Sequence, residues 1–191
     1  KLDFYDNLVQ ADCNDKLPFD DDSFDSVFSN TIYWVDNIDN IMSEVFRTTK
    51  KNGKVCLINY LPPINNYMEF YKKNNFSSEW IDLVDRNRSK ENKHIFSIDK
   101  WKELYSKHGF KTVKVIPTVN QTYAHIWNIG LRPFAGKIIK LANNLDNNGY
   151  KEFKKDWVST LYTFLEPYAT KSYFYDSNLE NGVEAIFILE K

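Results

Sequence analysis

Between Gln10 and Asn30 the chain reads as a strand, an acidic turn, a Leu-Pro-Phe loop and a second strand, and no other stretch constrains the fold as much. Residues 7–11 form a short apolar run, and residues 26–29 form another, introduced by Phe24 and Asp25. Both are expected as buried parallel strands. Where the carboxyl ends of two such strands open side by side, an α/β sheet forms a crevice for a small ligand, and Asp12 and Asn30 would sit on its lip.

The rest of the chain supports an α/β reading. Ile38, Ile41, Met42, Val45 and Phe46 recur at helical spacing after Asp36 and Asn37, either of which can cap a helix over residues 36–51. Asn52 and Gly53 stop it, and residues 54–60 follow as a strand closed by Pro62 and Pro63. One or two helices are expected in residues 66–87. A further helix follows Ser97, with Ile98, Trp101, Leu104 and Tyr105 on one face and Gly109 closing it. Residues 111–119 alternate as a strand, in which Pro117 argues for a sheet edge. Residues 183–189 form the last strand. Between these two strands lie helical patterns over residues 133–144 and 150–167.

A chain of 191 residues, 42% of them hydrophobic, can bury the core of one domain. Its 25 basic and 26 acidic residues are interspersed, with a net charge of −1, so no broad basic face is available for nucleic acid. No apolar run approaches the roughly 20 residues of a membrane-spanning helix. Cys13 and Cys56 lack metal-ligand spacing and are expected as reduced thiols in a cytoplasmic protein, with no metal site.

Three motifs, in order and at matching spacing, resemble the later two thirds of a class I S-adenosylmethionine (SAM) dependent methyltransferase of the type 11-like group. The first comprises Gln10-Ala11-Asp12, Leu17-Pro18-Phe19, Ser23-Phe24-Asp25 and Val27 to Asn30. The second is NTIYW at residues 30–34, and the third is EVFRTTKKNGKV at residues 44–55, a variant of R-x-L-K-P-G-G. The resemblance implies a Rossmann-like sheet with SAM as cofactor. It implies that the Asp12 carboxylate accepts from the adenine amino group while the Cys13 backbone N–H meets a ring nitrogen. It also implies that the Asn30 backbone carbonyl holds the cofactor's ammonium group, with Thr31 to Trp34 lining the approach to the acceptor. Tyr33 and Trp34 are the candidate substrate contacts, although Trp34 fits a core role equally well.

The family's first strand is followed by a G-x-G-x-G turn. The six glycines here, at 53, 109, 130, 136, 149 and 182, include no pair separated by one residue. A chain without that turn reads as an N-terminally incomplete portion of a longer protein. Residues 1–119 and 176–191 are expected to form the partial methyltransferase domain. Residues 120–175, inserted where the family joins its last two strands directly, are expected to form a helical cap over a small-molecule or glycan acceptor, or equally a packing or homodimer element. His125, at the start of this insertion, is the candidate general base, and Arg132 the candidate ligand for an acidic substrate group. His94 and His108 fit loop and helix-end roles. A catalytically silent binding or assembly module is the alternative to an enzyme.

Overall fold

The computed structural model describes residues 5–86, 88–170 and 182–191. In chain order the elements are β1 (Phe24–Ser29), a short 3-10 turn (Ile32–Trp34), α1 (Ile38–Thr48), β2 (Thr49–Tyr60) and a second 3-10 turn (Pro62–Asn65). They continue through α2 (Asn66–Lys73), α3 (Ser78–Asp85), α4 (Arg88–Glu91), α5 (Ile98–Lys107) and β3 (Lys111–Asn120). The segment before the last strand holds α6 (Gln121–His125), a π-helical stretch (Ile126–Leu131), α7 (Arg132–Ala142) and α8 (Asn147–Thr170), and β4 (Gly182–Glu190) closes the chain.

The strands lie in the order β1-β2-β4-β3. β1 runs parallel to β2, whereas β4 is antiparallel to both β2 and β3. The last strand therefore sits inside the sheet, with Val55 opposite Leu189 and Leu57 opposite Phe187. Pro117 lies in β3, the edge strand its missing N–H requires, beside a break in register.

Alternation decides which face is covered. Val55, Leu57, Ala185, Phe187 and Leu189 are wholly buried, while Cys56, Ile58, Ile186 and Ile188 between them are only half-buried. The buried face packs on α1 through Ile38, Ile41, Met42 and Val45, and on α5 through Trp101 and Tyr105. The Trp101 indole N–H also donates to the Tyr60 carbonyl at 3.1 Å, fixing the carboxyl end of β2.

The helix boundaries follow from caps. The Asn37 side chain accepts from the Asn40 N–H to start α1, and Ser97 accepts from the Lys100 N–H to start α5. α5 ends before Gly109, whose φ of +89° suits glycine.

Three expectations need correction. The helix expected over residues 36–51 ends at Thr48 and β2 begins at Thr49, so Asn52, with a φ of +63°, and Gly53 lie inside the strand, where its register with β1 shifts, rather than ending the helix. Residues 7–11 form no strand: Leu8 and Val9 are exposed, and among the described residues no neighbouring strand offers them backbone partners. β1 is likewise a half-exposed edge strand rather than a buried one, with Phe28 64% exposed. Part of the expected segment 176–191, up to residue 181, lies outside the described residues.

Candidate active site at the carboxyl ends of the parallel strands

The acidic turn is pinned by short polar side chains. Asp12 Oδ1 accepts from the Asn14 backbone N–H at 2.8 Å and from its side-chain amide at 3.0 Å. Asn14 Oδ1 in turn accepts from the N–H groups of Asp36 and Asn37, and Asn40 donates to the carbonyls of Asn14 and Asp15. The turn is thereby fastened to the start of α1. Asp12 and Cys13 stay exposed beside an open cleft that they line with Gln10 and Ala11, and among the described residues Asp12 Oδ2 has no recorded protein partner.

A second clamp explains why the Leu-Pro-Phe loop and the EVFR motif occur together. Arg47 donates to the carbonyls of Phe19 at 2.7 Å and Leu17 at 3.1 Å while pairing with Asp21 and Glu44. The Leu17 N–H donates to Glu44 Oε2 at 2.8 Å. The Arg47 guanidinium holds the Glu44 carboxyl below its ordinary range. Leu17 packs on the core and Phe19 meets Phe24 edge-on, so both serve the loop's packing.

Asn30 and Thr31 are exposed just beyond β1. The following residues turn inward: Tyr33 is buried, with its ring 4.3 Å from that of Tyr60, whereas Trp34 is 47% exposed and its indole N–H donates to Asn92. His94 holds this segment twice, its backbone N–H donating to the Tyr33 carbonyl and its Nε2–H to the Val35 carbonyl. The role of His94 is thus to position the NTIYW segment. His108 instead ties α5 to α1 through Asp39 and Ser43.

Beyond Tyr60 lies a cavity of about 220 Å³. Tyr60 and Ile64 form one wall, and Val119, Val183 and Glu184 form the sheet side. Tyr123, Ala124, Trp127 and Asn128 close it from the inserted segment. The wide π-helical turn carries Asn128, which is 2% exposed; its amide donates to the Ala124 carbonyl and its Oδ1 accepts from Arg88. Arg88 also lies in the wall, 5.1 Å over the Tyr60 ring. Burial, then the neighbouring Arg132, disfavours its charge. Burial pushes the Glu184 carboxyl up, against the hydrogen bond from Thr118 and the attraction of Arg88. Burial also pushes the Tyr33 hydroxyl up to about 12, so it stays protonated at neutral pH.

The structure does not bring His125 or Arg132 into this cavity. His125 ends α6, near the start of the insertion, with its ring centroid about 6 Å from those of Tyr67 and Phe70. Its Nε2 is buried with no hydrogen-bond partner among the described residues, and burial lowers its pKa. Arg132 is spent on the Val84 and Asp85 carbonyls and on the buried Asp85 carboxylate. Sequence reasoning missed Arg88 and Glu184, because an Arg among the other charges of a polar stretch and an acidic residue inside an alternating strand carry no motif. The one available signal was Glu184 itself, a charge among the apolar residues of β4.

Residues 2–57 match the family model described as a methyltransferase domain. Beyond residue 57 the likeness to solved structures concerns the fold alone. The fold is a Rossmann-like α/β fold, and residues 2–57 resemble a methyltransferase domain. Phosphoethanolamine N-methyltransferase 2 of Haemonchus contortus, in complex with S-adenosyl-L-methionine, is 18% identical with a TM-score of 0.48, over 95% of this chain and 36% of that one. A possible histamine N-methyltransferase of Thermotoga maritima is 17% identical with a TM-score of 0.46, over 92% of this chain and 60% of that one. The cyclase SpnF is 14% identical with a TM-score of 0.50, over 95% of this chain and 54% of that one. The chain thus spans between about a third and three fifths of these structures' lengths. No curated protein sequence matches it. That a neighbour in fold is a cyclase illustrates why the reaction must be argued from the site. Among the described residues there is no cluster of His, Cys, Asp and Glu that could hold a metal, and no helix long and apolar enough to cross a membrane.

Proposed function

We propose that the protein of which these residues form part transfers a methyl group from SAM to a small-molecule acceptor seated in the cavity beyond Tyr60. The observation that carries this reading is the continuity from Asn30 and Thr31, through the Tyr33 ring, to Tyr60 and the cavity wall. In-line displacement needs cofactor and acceptor side by side with water excluded.

The adenine side of a SAM site fits the residues present. Asp12 Oδ2 and the Cys13 N–H would hold the base, the Asn30 carbonyl would hold the ammonium group, and Thr31 would line the approach. The methionine side fits less well, since the chain supplies no glycine pair for close backbone approach. Bound SAM supplies an electrophilic methyl group on a sulfonium. Around it, Tyr33 would present a protonated hydroxyl and Trp34 an aromatic face suited to a cation.

A cavity of about 220 Å³ favours a small molecule over a glycan. Its wall includes side chains from residues 123–128, which supports the cap reading of residues 120–175. Two free thiols, Cys13 exposed, support a reducing compartment such as the cytoplasm. A silent methyltransferase-like binding or assembly module is the second reading.

Titration calorimetry with SAM separates the two. The enzyme reading expects binding that weakens at least tenfold in a folded D12A variant, together with methyl transfer to added small molecules. SAM binding unaffected by D12A would sink the adenine-site assignment, and no SAM binding by any form of the protein would leave the silent module.

A further inference from the structure

We propose that the cavity walled by Tyr60, Arg88, Tyr123 and Glu184 binds a small zwitterion, with its oxyanion on the Arg88 guanidinium and its ammonium group against the Glu184 carboxylate. This rests on the acceptor-site reading above and names the chemical class of that acceptor.

The argument starts from two opposite charges that share one cavity without meeting. Arg88 presents five N–H donors and does not give up its proton in a protein. Among the described residues its recorded hydrogen-bond acceptor is Asn128 Oδ1, so most of the planar fork is left for a ligand. Planar, bidentate recognition of a carboxylate or phosphate is what such a fork does well. Glu184 accepts from Thr118 Oγ1 at 3.0 Å and feels the field of Arg88, yet among the described residues the two form no ion pair.

Partly buried charges are costly unless each is paired. A neutral ligand would pair neither, and an anion alone would satisfy Arg88 while facing the Glu184 carboxylate. A ligand carrying opposite charges at its two ends pairs both. The aromatic side chains of Tyr123 and Trp127 in the same wall favour the ammonium end. The cavity's volume restricts the linker to a short chain.

The test uses the 191-residue chain without SAM, titrated by calorimetry with γ-aminobutyrate and with aminoethyl phosphate. Butyrate, ethyl phosphate and butylamine are the one-charge controls. A zwitterion should bind at least tenfold more tightly than its controls. The arm that binds identifies the oxyanion as carboxylate or phosphate. E184Q should reduce the zwitterion to the affinity of its anionic control, and R88Q to that of butylamine. If circular dichroism shows R88Q unfolded, R88K serves instead: it keeps the charge, loses the fork and should still weaken binding severalfold. Equal affinity for zwitterions and controls, or zwitterion binding unchanged in folded variants, overturns the proposal. Zwitterion binding in a protein that never binds SAM would leave the cavity assignment standing and remove methyl transfer. SAM binding without zwitterion binding does the reverse.

Discussion

Glu184 is the residue on which stability and ligand binding should pull apart. Burial raises its pKa above the ordinary 4.5, so the folded protein holds this proton more tightly than the unfolded chain. The resulting contribution to stability is fully present below the unfolded value and is lost as pH rises through the folded one. E184Q carries no such charge. The gap in urea midpoint between E184Q and the parent should therefore open in favour of the variant as pH rises above the ordinary carboxyl value of 4.5; a constant gap would mean that the carboxylate is well solvated. His125 poses the opposite question. Its buried Nε2, without a hydrogen-bond partner among the described residues, sits against Tyr67 and Phe70, and an unsatisfied buried polar atom costs about 1–3 kcal/mol. H125F should stabilise the fold by about 1 kcal/mol and leave turnover near the parent's. A fall of roughly 10²-fold in turnover would restore His125 as the base that the sequence suggested.

At the scale of elements, caps and turns were the readable part. Asn37 starts α1, and Ser97 and Gly109 start and stop α5, where their capping chemistry and backbone preference said they would, whereas α1 ends at Thr48, before the Asn52-Gly53 stop that the sequence offered. Gly109 combines a φ of +89° with a site where an added Cβ would lie 2.8 Å from the Phe46 ring. G109A should cost at least about 1–2 kcal/mol from backbone strain alone, read as a lower midpoint in urea unfolding. A neutral substitution would show that the α5–β3 turn can rearrange. The π-helical turn at Ile126–Leu131 was not readable, because its widening serves Asn128, whose partners are Ala124 within the segment and Arg88 far from it in sequence. Residues 7–11 failed as a strand for a related reason: an apolar run states a preference, while a strand exists only once a neighbour accepts its backbone.

Across the whole molecule, burial is uneven. Val55, Leu57, Phe187 and Leu189 lie at 0% exposure where β2 and β4 pair, whereas none of the described side chains of α8, a helix of 24 residues, is buried. Amide hydrogen exchange should accordingly be slowest in β2 and β4 and fastest, among the long elements, in α8. Protection of α8 equal to that of β2 would reveal that something covers it in solution, as the homodimer reading of the inserted helices requires. The sequence by itself determined the order of the main helices and strands from β1 onward, the edge position of Pro117, the principal caps and the methyltransferase resemblance. Each of these rests on local spacing or on one residue's backbone preference. Only the tertiary structure decided that β4 enters between β2 and β3, that Arg47 clamps the Leu-Pro-Phe loop, and that Arg88 and Glu184 face one cavity from positions 96 residues apart. Such long-range meetings are set by how buried faces fit together, and no local pattern along the chain encodes them.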